Sequence, residues 1–172
     1  MWKGTQNTDY NGMVLFEPTA LRDYYGRIRK GTNIFARFMK TEDGDEVLRR
    51  GIVVPILAID DASYTVIVRR ADEVSPVDSD VIVTNGVFPF HVRREAVIAD
   101  LAVFRDWEED LDWHRVPIPS GRYSVTVRGF RRLAKRKHKI LDAGYEFVLS
   151  SVRRLARPTG KTGKAMRTLR FD

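Results

Sequence analysis

The chain has 172 residues, a formal net charge of +7 and no cysteine. That length suits one domain with a real hydrophobic core, and the missing cysteines exclude disulfides, thiolate-bound zinc and thiol nucleophiles. No apolar run reaches the roughly 18 residues of a membrane-spanning helix, and residues 1–7 lack the apolar core of a signal peptide, so a cytoplasmic protein away from membranes is expected.

The charge is spread unevenly. Residues 121–172 hold fifteen Lys or Arg against three acids, whereas the first 120 residues hold fifteen against twenty. An acidic body with a basic end follows, which suits different partners for the two parts.

In chain order, Asp9 to Glu17 gives a turn and a short apolar strand that Pro18 ends. From Thr19 to Met39 the period changes. Leu21, Tyr24, Tyr25 and Ile28 have helical spacing, Gly31 interrupts, and Thr32 reads as the cap of a second helical turn bearing Phe35, Phe38 and Met39. Asp43 to Gly51 reads as a short helix stopped by a left-handed cap at Gly51.

Strands follow. Ile52 to Ile59 is nearly all apolar, as for a strand covered on both faces, with Pro55 marking an edge or a bulge. Tyr64 to Arg69 returns as its hairpin partner, and Ala71 to Asp80 is a loop. Val81 to Thr84, Asn85-Gly86 and Val87 to Val92 form the strongest local hairpin signal, because Asn-Gly supplies the positive-φ pair of a type I′ turn. Ala96 to Phe104 reads as another strand.

Val116 to Gly121 is a stiff turn with two prolines, and a period-2 strand leaves it with Tyr123, Val125 and Val127 on one face and Ser124, Thr126 and Arg128 on the other. Tyr145 to Val152 repeats the alternation through Tyr145, Phe147 and Leu149, so the two pair as an antiparallel ribbon with a long basic connection. The expected fold is mainly β: an antiparallel sandwich or partly closed barrel of seven or eight strands, with one to three short helices in the N-terminal third. Residues 1–152 form the single domain. Residues 153–172 form a basic tail whose composition reads as a disordered arm.

Two segments are candidate sites. In Arg105 to Arg115, the carboxylates Asp106, Glu108, Glu109, Asp110 and Asp112 accompany Trp107 and Trp113. Tryptophan is a frequent binding anchor and the acids suit a basic partner, although loop aromatics more often pack inward. The second candidate is cationic: Arg131, Arg132, Lys135, Arg136, Lys137 and Lys139 in the connection, with Arg153, Arg154, Arg157, Lys161, Lys164, Arg167 and Arg170 in the tail. Such a field suits a phosphate backbone. Neither basic segment has the aromatic interleaving of a base-stacking platform.

No motif supports catalysis. His91, His114 and His138 lack metal-ligand spacing, and no nucleophile is placed beside His91. Gly160-Lys161-Thr162 resembles the end of a phosphate-binding loop, but Leu155 stands where the first glycine belongs. No cofactor is expected.

The collinear set of Asp9 to Phe16, Asp45 to Gly51, Val87 to Val92, Val116 to Val127 and Tyr145 to Leu149 resembles the competence protein J family. Those are small proteins described as inhibitors of a DNA-entry nuclease. The resemblance spans about residues 9–152 and implies a compact β-rich binder that blocks a nuclease and carries no catalytic residues. It also implies that Asp106 to Asp112 answers a basic, DNA-binding surface as a phosphate mimic. The helical segment at 19–42, the cationic connection at 131–139 and the basic tail depart from that pattern. The alternatives are a nucleic-acid-associated protein acting through its basic end, and an assembly or scaffold subunit whose arm orders on a neighbour.

Overall fold

A computed structural model describes residues 1–135 and 139–171. The order is β1 (Trp2–Thr8), β2 (Gly12–Phe16), α1 (Pro18–Tyr25), α2 (Ile34–Lys40), α3 (Asp43–Arg49), β3 (Val53–Leu57), β4 (Ala62–Arg70), β5 (Val81–Val92), β6 (Ala96–Asp100), β7 (His114–Val116), β8 (Gly121–Leu133) and β9 (Ile140–Ser151). The strands form two sheets, β1-β4-β9-β8-β5 and β3-β2-β6-β7. The mainly β, two-sheet architecture with its helices near the N-terminus is therefore as expected, and among the described residues no barrel closes.

The alternation read in β8 and β9 is what buries their inner faces. Tyr123, Val125 and Val127 pack with Tyr145, Phe147 and Leu149 in the core between the sheets, and the two strands are antiparallel with Val125 opposite Leu149. The opposite face of the smaller sheet has its own core, where Phe16, Leu21, Ile34, Val47 and Phe104 join it to the helices. Strand β2 is buried throughout because it lies between these two cores. Three helix ends have a local cause. Glu17, rather than a hydroxyl residue, caps α1 by accepting from the Ala20 amide, and Pro18 begins that helix rather than only ending β2. Asn33, not Thr32, caps α2. Gly51 terminates α3 at φ 69° as expected. A Cβ there would also meet the backbone of Phe90 and His91 at 3.0–3.1 Å.

Local pairing misleads in two places. The segments at 52–59 and 64–69 do not form a hairpin: β3 pairs with β2, while β4 lies in the other sheet between β1 and β9. The link at 58–61 is thus a corner between sheets, with Ala58 at φ 54°. The Asn-Gly pair is not a hairpin turn either, since β5 runs unbroken against β8 with a bulge between Asn85 and Phe88. Asn85 uses its side chain as a surrogate peptide, donating to the Lys161 carbonyl at 2.8 Å and accepting from the Lys161 amide at 3.0 Å. Strand β6 also ends early, and Leu101–Phe104 is a 3₁₀ turn capped by Asp100.

The tail is not a loose arm. Thr159 and Gly160 amides bond to the Val87 carbonyl at 2.9 and 3.0 Å. Met166 is buried in the core between the sheets, where its carbonyl accepts from the Tyr145 hydroxyl at 2.8 Å. Composition could not reveal this, because the two buried residues, Met166 and Thr168, flank the exposed Arg167 in a segment rich in cations.

Candidate functional site

The acidic loop between β6 and β7 is held from beneath by its two tryptophans. Trp107 is 2% and Trp113 9% exposed. Their rings meet edge to face at 5.5 Å, and the Phe16 ring lies 6.3 and 5.3 Å from them. Both indoles therefore belong to the core under the helices, so neither is presented as a surface anchor; the energy of covering so large a ring is gained within the fold. Backbone bonds fix the same loop, with the Gly31 amide donating to the Trp107 carbonyl at 2.9 Å and the Trp107 amide to the Thr32 carbonyl at 3.1 Å.

The carboxylates remain on the surface, but three of them are answered locally. Glu108 pairs with Lys30 at 2.6 Å, Glu109 with Arg22, and Asp110 with Arg115. The Glu108 carboxylate beside Lys30 accordingly raises the ammonium pKa. Two of these cations come from the helical segment, so the loop is less acidic than its sequence. Asp106 and Asp112 are exposed. What the sequence reading missed is Leu111, which is 54% exposed at the tip. It stands between Asp110 and Asp112, both in the left-handed region at φ 64° and 54°. An apolar side chain lifted into water by two left-handed neighbours is the signal, and it appears only in the backbone.

The cationic set is brought together only in part: the end of the tail returns to Arg131, while residues 153–157 lie elsewhere. Strand β9 has twelve residues, about 40 Å of extended chain, and it separates Arg131, Arg132, Lys135 and Lys139 from Arg153, Arg154 and Arg157. Several of these charges are used by the fold. Arg131 bonds the Arg170 carbonyl and covers the Phe171 ring. Arg132 pairs with Asp80 at 2.9 Å, Arg170 with Asp60, and Lys164 reaches the Thr84 carbonyl. Lys161 is tied to Asn85 through its backbone, and Arg167 is exposed. Arg136, Lys137 and His138 lie outside the described residues.

A third feature was not foreseen. A cleft of about 1050 Å³ opens between α1, α3, the end of β5 and the tail, lined by Ala20, Leu48, Ile52 and Leu155 with Arg49, Arg50, Arg93 and Arg157 around them. Its walls are tied together. The buried Glu17 carboxylate, besides capping α1, accepts from the Arg94 and Glu95 amides at 2.8 and 3.2 Å. The Gly51 carbonyl accepts from the His91 amide at 2.8 Å. His91 lines the cleft, and burial, then the Arg122 and Arg93 charges, lower its pKa. Two of the cleft's arginines are paired, Arg93 with Asp23 in the cleft and Arg50 with Glu46 outside its lining. Among the described residues no cluster of three or more His, Asp or Glu is placed to hold a metal ion, and no helix is long and apolar enough to cross a membrane.

Comparison with protein-family models finds no match, and comparison with curated proteins finds none either. Among solved structures the chain is similar to ComJ from Bacillus subtilis, an inhibitor of the DNA degrading activity of NucA, at 16% identity over 88% of this chain and 96% of that one, with a TM-score of 0.49. It is also similar to crocagin biosynthetic gene J, at 13% identity over 89% of this chain and 100% of that one, with a TM-score of 0.50. The second likeness shows a shared fold, and fold alone.

Proposed function

We propose that this chain is a non-enzymatic protein-binding module whose contact surface is the acidic loop, with a basic nuclease as its target. One observation carries the reading. Leu111 is held out in solvent on a loop that buried tryptophans and ion pairs keep rigid, with Asp110 and Asp112 on either side. Left-handed backbone on both sides of Leu111 costs free energy and persists where the surrounding structure holds it, as at ligand clamps, and an exposed leucine flanked by carboxylates suits the apolar centre of a contact with a polar rim. Leu111 takes the anchor role expected of the indoles, while Asp106, Glu109, Asp110 and Asp112 form the polar surround that steers a basic partner. The nuclease as partner comes from the collinear sequence resemblance to the competence protein J family.

The reading is tested by mixing the purified chain with DNA-degrading nucleases of its own cell and measuring DNA cleavage. Wild type lowers cleavage, and Leu111→Asp, which leaves the core intact, restores it. If the folded variant inhibits as well as wild type, the loop is not the contact surface. The nucleic-acid alternative draws no support from a cationic set of which Arg153, Arg154 and Arg157 lie at the far end of β9 and Arg131, Arg132, Lys164 and Arg170 are engaged within the fold.

A further inference from the structure

We propose that the cleft between α1, α3 and the tail is a second binding site, of opposite charge to the acidic loop, for an extended acidic peptide carrying apolar side chains. The site goes beyond the loop reading and stands on its own residues. Its floor is apolar, from Ala20, Leu48, Ile52 and Leu155, and its cations are Arg49, Arg50, Arg93 and Arg157, against Asp23 and Asp45.

The occupant follows from size, charge and geometry. A cleft of about 1050 Å³ is at the upper limit for small-molecule pockets, roughly 300–1,000 Å³, so a polymer segment fills it better. All four cations are arginine, whose planar fork matches a carboxylate through two parallel hydrogen bonds. Their present partners are exchangeable: Arg93–Asp23 and Arg49–Glu46 are exposed ion pairs, worth little in water. Arg157 is exposed and points no ion pair at any described residue. Nucleic acid fits less well. Among the described residues Tyr24 is the one phenol ring lining the cleft, and the Arg50 guanidinium already occupies one of its faces at 5.2 Å, so the cleft lacks the run of aromatics on which successive bases stack.

The walls are already in place. Segment 153–158 is fixed at both ends, by the Val152 amide on the Arg122 carbonyl at 2.9 Å and by the Thr159 amide on the Val87 carbonyl at 2.9 Å. With Glu17 and Gly51 tying the other sides, little ordering cost remains for a ligand to meet.

The test is fluorescence anisotropy of the full chain with a labelled peptide alternating Glu and Leu, beside an all-Glu peptide and a single-stranded DNA of equal length. The alternating peptide binds saturably and more tightly than either control, and Arg157→Glu or Arg49→Glu weakens it about tenfold. Both positions are exposed, and unchanged thermal melting confirms that the variants fold. Equal binding of the all-Glu peptide, tighter binding of DNA, no saturable binding, or indifference to both substitutions each overturns the proposal. A dimer in light scattering that Arg157→Glu dissolves would place a second copy's loop in the cleft and overturn the separate-partner assignment. None of these variants touches the acidic loop, so this site and the nuclease reading fail independently.

Discussion

Glu146 and Arg69 form a buried ion pair on the face of the larger sheet that points away from its partner sheet, with Arg69 Nε 2.7 Å from Glu146 Oε1. Glu146 is fully inaccessible, since the loop at 71–80 folds over it and the Ser75 hydroxyl donates to the same oxygen at 2.7 Å. Arg128 Nε stands 2.8 Å from the other oxygen, a charge contact without the alignment of a hydrogen bond. Strand alternation makes Glu146 an outward residue. Only the loop makes that position an interior.

Removing one member of such a set leaves a charge stranded. Glu146→Ala is expected to cost about 3–5 kcal/mol, read as a lower urea midpoint with an unchanged slope. Replacing Glu146 by Leu and Arg69 by Met together is expected to recover most of the loss, because the apolar pair strands neither charge and Arg128 keeps its ion pair with Asp78 at 2.8 Å. A single variant as stable as wild type would show that the loop opens and admits water to the charge.

In the acidic loop the core residues and the proposed contact residue can be changed separately. Trp107→Ala is expected to cost about 3–5 kcal/mol, as large aromatic truncations in cores do. Leu111→Asp is expected to change stability by less than about 0.5 kcal/mol, since its side chain is solvated. Denaturant titration of both, alongside the nuclease assay, checks this. A Trp107→Ala protein of wild-type stability would contradict the core placement of the indole.

The tail gives a parallel expectation. Met166→Ala is expected to cost about 2–5 kcal/mol, because the residue seats in the core between the sheets and its backbone holds the Tyr145 hydroxyl. Limited proteolysis then cuts the variant near residues 160–165 faster than wild type. Equal resistance and equal melting would mean that the tail lies on the domain without supporting it.

How much of this was legible follows from where each signal resides. The faces of β8 and β9 and the stop at Gly51 are written in adjacent residues, through period-2 alternation and through the φ that only glycine adopts freely. Asn85-Gly86 is equally local and pointed the wrong way, because the partner that uses Asn85 is Lys161, far along the chain. The parallel pairing of β4 with β9, with Val66 opposite Tyr145, has no local trace, and neither does the cleft, whose arginines come from three segments. The carboxylates of the loop could be read, but their neutralisation by Arg22 and Lys30 could not. Trp107 and Trp113 show the limit most directly: residue type marks an energetic hot spot in a fold and in an interface alike.

His91 supplies a prediction in which pH is the variable. Burial, then the charges of Arg122 and Arg93, lower its pKa from 6.5, with Glu17 opposing. The folded chain therefore binds this proton less readily than the unfolded chain, and stability rises with pH wherever the unfolded state holds more protons. Stability is full above the unfolded pKa, falls as pH drops below about 6.5, and levels once the folded group is also protonated. The carboxylates whose pKa is lowered, Glu46 and Glu73, lose their contributions as pH falls through the range below 4.5, and Asp100, raised from 3.8 by burial, acts in the opposite sense, so the comparison with a variant lacking the imidazole isolates the histidine between about 6.5 and 5. Urea midpoints measured across that interval are expected to fall for wild type and to stay nearly flat for His91→Gln, which carries no titrating proton. Parallel slopes for the two proteins would show that the imidazole is as well hydrated in the cleft as in the unfolded chain.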